Sequence, residues 1–209
     1  MKKIFFIDFD GTITTLDSCT AMVEAFARDG WQEINQRWEQ KELGTEDCAN
    51  QTLALFDVSP EKLKDFLKNI AIDEFFPQFL QHCRKNGYPV YILSDGYDLN
   101  IQTILDEHQL QLPYYCNELI YTDCFQIRCP HKNDECGNCG TCKSSLMKRL
   151  KEKDSQTIYI GDGYSDICPA SQADLVFAKE PLYSICQEKG IAAVPYQNFY
   201  DIIVIQGLA

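Results

Sequence analysis

No apolar run in this 209-residue chain approaches the roughly 18 residues that a membrane-spanning helix requires. Positive charge is also scarce. Nineteen Lys and Arg stand against 31 Asp and Glu, a formal net charge of -12. A surface that neutralises nucleic-acid phosphates needs clustered Lys and Arg, so neither a nucleic acid nor a membrane is expected as a partner. The basic start, Met1-Lys2-Lys3, is followed by only four apolar residues and then Asp8, which is too short for an export signal. The chain is therefore expected to be soluble and cytoplasmic. Internal repeats and low-complexity linkers are absent too.

Hydrophobic residues make up 45% of the chain, enough for one core domain and a modest insertion. Eleven cysteines are many for such a protein. Without an export signal they read as thiols or metal ligands rather than disulfides.

Short apolar runs mark the strands. Residues 3–8 read as the first, Val90–Leu93 as the second, Glu118–Tyr121 as a short third, then Ile158–Ile160 and Leu175–Ala178. Residues 18–76 read as mostly helical. Asp17 or Ser18 is a possible first cap, Gly30 and Gly44 are breaks, and Ser59-Pro60 is a second helix start. Phe75–Arg84 and Leu99–His108 are further helices. Strands alternating with helices predict an α/β fold with a parallel sheet.

Three strands end in polar groups: Asp8 and Asp10, Ser94, and Asp162. Ligands of open parallel sheets bind beyond the carboxyl ends of the strands, so these clusters are expected to converge on one site. Two acids beside a buried strand are costly unless balanced, and a divalent cation is the simplest balance.

Asp8-Phe9-Asp10-Gly11-Thr12, Ser94 after its apolar strand, Lys143, and Gly161-Asp162-Gly163-Tyr164-Ser165-Asp166 occur in the order found in the haloacid dehalogenase superfamily of phosphotransferases, which this chain resembles over nearly its whole length. The resemblance implies a three-layer Rossmann-like core of residues 1–15 and 77–209. A small helical cap, 16–76, is inserted after the first strand, and a Cys-rich loop, 124–142, lies at a second cap position. It further implies Asp8 as the nucleophile that forms an aspartyl-phosphate. Asp10 is the implied general acid and then base. Ser94 and Lys143 contact the phosphoryl group, as do the backbone N–H groups near Gly11, Thr12, Asp95 and Gly96. Mg2+ would be held by Asp8, the Asp10 carbonyl and Asp162, with Asp166 binding it or orienting its waters. The expected partner is a small phosphorylated metabolite, since a cap leaves little room for a polymer. Trp31, Trp38, Phe26 and Phe56 either line a leaving-group pocket or form cap core.

Cys129-Pro130-His131, Cys136, Cys139 and Cys142 have a spacing that suits a structural Zn2+ site. An iron–sulfur or redox site and a metal-free loop of thiols remain open alternatives. In each case the segment leads into Lys143 and is expected to hold it. His131, Cys139-Gly140-Thr141-Cys142-Lys143, Cys116-Asn117 and Pro195–Tyr200 resemble the methionine-salvage phosphatases acting on 2-hydroxy-3-keto-5-methylthiopentenyl-1-phosphate. Phosphoserine and phosphoethanolamine/phosphocholine phosphatases are the alternatives within the superfamily. A non-catalytic metal-binding regulatory module is the alternative of another class, and the intact Asp8, Asp10, Lys143 and Asp162 argue against it.

Overall fold

A computed structural model of the chain describes residues 2–135 and 139–207. At its centre lies strand β1 (Lys2–Ile7), whose run Ile4–Ile7 is fully buried. Phe5 and Ile7 face one core, Ile4 and Phe6 the other. A strand covered on both faces carries apolar side chains at every position, which is why this run does not alternate.

Strand β1 is flanked by β2 (Val90–Tyr97) on one side and β5 (Ser155–Gly161) on the other, both parallel to it. Ile7 aligns with Ile92 and with Ile160, so Asp8, Leu93 and Gly161 follow at one level, while β2 itself runs on to Tyr97. Beyond β2 come β3 (Tyr114–Tyr121) and the antiparallel β4 (Phe125–Arg128). Beyond β5 lie β6 (Leu175–Ala178) and the two-residue β7 (Val194–Pro195). The order of this sheet is β4-β3-β2-β1-β5-β6-β7. The chain therefore leaves β1 in opposite directions on its two sides, which opens a crevice at the carboxyl end of β1.

Between β1 and β2 the chain forms α1 (Ser18–Phe26), α2 (Trp31–Glu39), α3 (Thr45–Leu53), α4 (Pro60–Leu67) and α5 (Phe76–Lys85). Asp17 caps α1 by accepting from Thr20 N at 2.7 Å, and Ser59 caps α4 with Pro60 at its first position. The first four helices leave and rejoin the core through a narrow neck. Thr14 bridges Ile72, and Asp73 N donates to Ile13 O at 2.8 Å. Helix α3 packs on the β3–β4 hairpin, where Asn50 Oδ1 accepts from Ile127 N at 2.8 Å. Phe26 sits edge-on to Phe66 and Phe56 edge-on to Phe125, so both are packing residues.

Helices α6 (Asp98–Glu107), α7 (Lys143–Leu150), α8 (Ile167–Ala170), α9 (Leu182–Lys189) and α10 (Phe199–Ile205) complete the fold. Among the described residues no helix is long and apolar enough to cross a membrane. Three strand expectations change. The third strand starts at Tyr114 rather than Glu118, and β4 and β7 were not legible. β3 carries Asn117 and Glu118 in mid-strand, while β4 and β7 are four and two residues long, too short for a pattern.

Asp174 ties the β5–β6 crossover to the sheet. Its carboxylate accepts from Thr157 N at 2.8 Å and Thr157 Oγ1 at 2.7 Å, which holds its pKa below the usual carboxylate value. Asp174→Ala leaves the N–H of buried Thr157 without this acceptor and should cost about 1–3 kcal/mol in urea unfolding at pH 7. A depressed folded pKa gives stability that is present above the unfolded value of about 3.9 and lost as pH falls through the folded value. The gap between wild type and variant should therefore be flat from pH 7 to about 5 and narrow below about 4.

Candidate active site

β1 delivers Asp8 to the crevice, where its N–H continues the ladder to Ile160 O at 2.9 Å. Its side chain turns back so that Oδ1 accepts from Phe9 N at 2.7 Å and meets Lys143 Nζ at 2.8 Å. Lys143, the first residue of α7, is buried, and its Nζ also reaches Asp166 Oδ1 at 2.6 Å and Ser165 Oγ at 2.9 Å. The ammonium thus lies between two buried carboxylates. Burial opposes its charge, but Asp166 and Asp8 outweigh that and hold its pKa above the ordinary lysine value.

The carboxylates respond unequally. Burial, with Asp166 nearby, pushes Asp8 well above the usual range, against the pull of Lys143. Burial also raises Asp162 to about 6, although the Thr12 hydroxyl donates to it at 2.6 Å. Asp166 is fully buried, which would raise it, yet Lys143, Tyr159 and the Gly163 N–H bring it below the usual value. Each Asp166 oxygen has two donors: Lys143 and Tyr159 OH at 2.6 and 2.5 Å on Oδ1, Asp162 N and Gly163 N at 3.0 Å on Oδ2. Oxygens of Asp8, Asp162 and Asp166 lie within 4.8 Å of one another. This all-carboxylate, oxygen-donor set suits a hard divalent cation such as Mg2+.

Asp10 stands on the turn after β1. Its Oδ1 accepts from Ser18 N at 2.8 Å and Ser18 Oγ at 2.5 Å. Burial and then Asp17 push its pKa up to about 7, against the two bonds from Ser18. Gly11 takes a φ of +72° and leaves no room for a side chain, since a Cβ there would meet Asp162 Oδ2 at 2.4 Å. Gly96 is similarly confined, with Asp10 Oδ2 2.5 Å from where a Cβ would be. Ser94 is buried, and its Oγ accepts from Gly96 N at 2.9 Å.

The route into Lys143 is tied down in two places. Asp95 Oδ1 accepts from Thr141 N at 2.7 Å and from Asn117 Nδ2 at 3.2 Å. Cys142 N donates to His131 O at 2.9 Å, and the His131 ring packs edge-on to Tyr115. These bonds carry the expectation that the segment holds Lys143. The ligand expectation fares differently. Among the described residues, Cys129, His131, Cys139 and Cys142 bring no three potential ligand atoms within 4.8 Å of one another, and Cys136 lies outside the described residues. His131 spends its contacts on Tyr115 and the Cys142 backbone, and the Cys142 thiol lies 3.1 Å from Ser145 Oγ.

The structure thus brings together Asp8, Asp10, Gly11, Thr12, Ser94, Asp95, Gly96, Lys143, Asp162 and Asp166. It also adds residues that the sequence reading missed. Lys179 Nζ donates to Gly11 O at 3.0 Å and Thr12 O at 3.2 Å, pinning the turn that follows Asp10. Lys179 follows directly after β6, so the rule that selected Ser94 and Asp162 would have selected it. Asn117 and Tyr159 lie within strands and gave no such signal.

A cleft of about 240 Å³ opens beside Asp10, walled by Asp17, Cys19, Val23, Trp31, Trp38, Ala49 and Tyr97 among others. Trp31 and Trp38 line it, whereas Phe26 and Phe56 belong to the packing. No Lys or Arg is among its lining residues.

Known proteins are similar to this chain at two levels. The family model described as "Putative Phosphatase" matches residues 3–183. A Bacillus mycoides (strain KBAB4) protein named 2-hydroxy-3-keto-5-methylthiopentenyl-1-phosphate phosphatase is 36% identical over 206 residues, covering 95% of this chain and 93% of its own. A Bacillus cytotoxicus protein of the same name is 37% identical over 210 residues, covering 97% and 94%. Among solved structures, a phospho-aspartyl intermediate analogue of phosphoserine phosphatase matches with a TM-score of 0.69 at 20% identity, covering 98% of both chains. A haloacid dehalogenase family hydrolase from Salmonella enterica serovar Typhi matches with a TM-score of 0.75 at 19% identity, covering 96% of this chain and 69% of that one. These structural matches speak for the fold, and the family match extends over most of the sequence. The chain belongs to the "Putative Phosphatase" family and is a phosphatase of the haloacid dehalogenase type.

Proposed function

We propose that this phosphatase hydrolyses 2-hydroxy-3-keto-5-methylthiopentenyl-1-phosphate through an aspartyl-phosphate on Asp8. The observation that carries the reaction type is the Lys143 ammonium between Asp8 and Asp166, at the carboxyl end of β1. Asp8 Oδ1 is engaged by Phe9 N and Lys143, which directs Oδ2 toward phosphorus. Asp8 Oδ2 forms the new P–O bond while the bond to the leaving oxygen breaks, and Asp10 gives that oxygen its proton. In the second half, Asp10 takes a proton from water, the water oxygen bonds to phosphorus, the Asp8–phosphorus bond breaks and inorganic phosphate leaves. Lys143 and Ser94 offset the charge on the phosphoryl oxygens throughout.

Mg2+ would be held by Asp8 and Asp162 with the Asp10 carbonyl. When bound, it supplies the positive charge against which a carboxylate and a phosphate dianion can approach. Asp166 orients the Asp162 loop and Lys143, because three of its four hydrogen bonds are directed at them and the fourth comes from Tyr159 OH. Helices α1–α4, hinged at the Thr14–Ile72 neck, act as the cap and read the leaving group.

The substrate reading is supported by the relatives' names and by the cleft. Trp31, Trp38, Val23 and Ala49 offer an apolar wall for a methylthio tail, and sulfur packs well on aromatic rings. A leaving group bearing a carboxylate, such as serine, would meet Asp17 and no basic side chain there.

Asp8→Asn should abolish turnover of every phosphate ester with Mg2+ present, by about 1,000-fold or more, while the melting temperature holds or rises. Activity near the wild-type level would remove Asp8 from the reaction. In a panel of the methylthio ketose phosphate, phosphoserine, phosphoethanolamine and phosphocholine, the first should give the highest kcat/KM. Trp38→Ala should raise KM for that substrate about tenfold with kcat nearly unchanged, and leave KM for a short alkyl phosphate unaltered.

A further inference from the structure

Asp10 is held by two residues that the reaction scheme does not yet use. Ser18, the first residue of α1, is fully buried and aims both its N–H and its hydroxyl at Asp10 Oδ1, at 2.8 and 2.5 Å. Asn100, in the first turn of α6, is also fully buried, and its Nδ2 donates to Ser18 Oγ at 2.9 Å. In this orientation the amide nitrogen is engaged, while the buried Oδ1 has no hydrogen-bond partner among the described residues. Nδ2 also faces Met22 Sδ at 3.3 Å, a thioether that can only accept. Ser18 Oγ has one proton. Since its oxygen receives an N–H from Asn100, that proton goes to Asp10.

The other oxygen of Asp10 has different neighbours. Oδ2 lies 2.5 Å from where a Cβ on Gly96 would be, on the side of the Ser94 turn, with Cys19 Sγ 4.0 Å away. Oδ1 carries both Ser18 donors, while Oδ2 faces the Ser94 turn and receives only the weak thiol contact of Cys19 at 4.0 Å. We propose that Asn100 and Ser18 form a directional hydrogen-bond relay that keeps Asp10 Oδ1 an acceptor, so that Oδ2 carries the proton to the leaving oxygen. Both are positioning residues, acting through Asp10. The relay also joins the turn after β1, the cap helix α1 and the helix following the Ser94 turn, so proton delivery is coupled to the seating of α1. It rests on the reading of Asp10 as the general acid.

The test uses leaving groups that differ in their need for a proton. kcat/KM reports steps up to departure of the leaving group, and a primary alkoxide needs protonation there while a nitrophenolate does not. Ser18→Ala should lower kcat/KM for a primary alkyl phosphate about ten- to hundredfold, at least about five times more than for a nitrophenyl phosphate. Asn100→Asp retains the size and the serine but draws the Ser18 proton toward itself, and should show the same preference. Equal losses for both esters, in variants that melt as folded proteins, would overturn the relay. Asp10→Asn is the control for the underlying reading. If it is selective and the Ser18 and Asn100 variants are not, the relay fails and the acid stands. If it is itself unselective, the assignment of Asp10 as acid fails and the relay with it.

Discussion

The buried ammonium of Lys143 is the interaction on which the rest of this site depends. Asp8 and Asp166 are withdrawn from water beside it, and a carboxylate so placed is tolerated only if something positive stands close by. Removing the ammonium would leave two uncompensated carboxylates in the interior, so Lys143 holds both in place. Burial raises Asp8 while Lys143 draws it back down, and a divalent cation beside it would lower it further.

Two sets of contacts bring the lysine there. From the β2–β3 side, Asp95 and Asn117 bind the backbone and hydroxyl of Thr141, two residues before Lys143. From the segment itself, His131 O accepts from Cys142 N. The Cys-rich approach therefore acts through main-chain hydrogen bonds to its own last residues. Its glycine at 140 has a steric reason, since a Cβ there would lie 2.6 Å from Asn117 Oδ1. On the other side Lys179, after β6, fastens the carbonyls of Gly11 and Thr12. The two lysines thus clamp the turn that carries both acids, one by its carboxylate and one by its backbone.

The helical insertion is continuous with this machinery rather than laid over it. Met22, Leu53, Leu63 and Leu67 extend the core that begins on β1, and Ser18 binds Asp10 directly. The first helix of the insertion therefore forms part of the immediate environment of Asp10.

Much of the candidate site was legible in the sequence because most of its parts follow a strand that announces itself. A strand buried on both faces must be a continuous apolar run, and parallel strands must end together, so Asp8, Ser94 and Asp162 could be assigned to one edge. Sequence motifs likewise selected Asp10, Lys143 and Asp166, and a cap start at Ser59-Pro60. Ser18, Asn100, Asn117, Lys179 and Tyr159 were not picked out as site residues, although Lys179 stood at a strand end. Ser18 reads as an ordinary helix cap, and Asn100 is one polar residue on an amphipathic helix. The short β4 and β7 were hidden for a similar reason, since two to four residues carry no period. The sequence alone determined the kind of chemistry, because the reacting groups are tied to strand ends by local pattern. Which oxygen of Asp10 takes the bonds from Ser18, and which residues fasten the segment before Lys143, were decided only by the tertiary structure. Those choices depend on hydrogen bonds between residues from 8 to 82 positions apart, whose directions no spacing encodes.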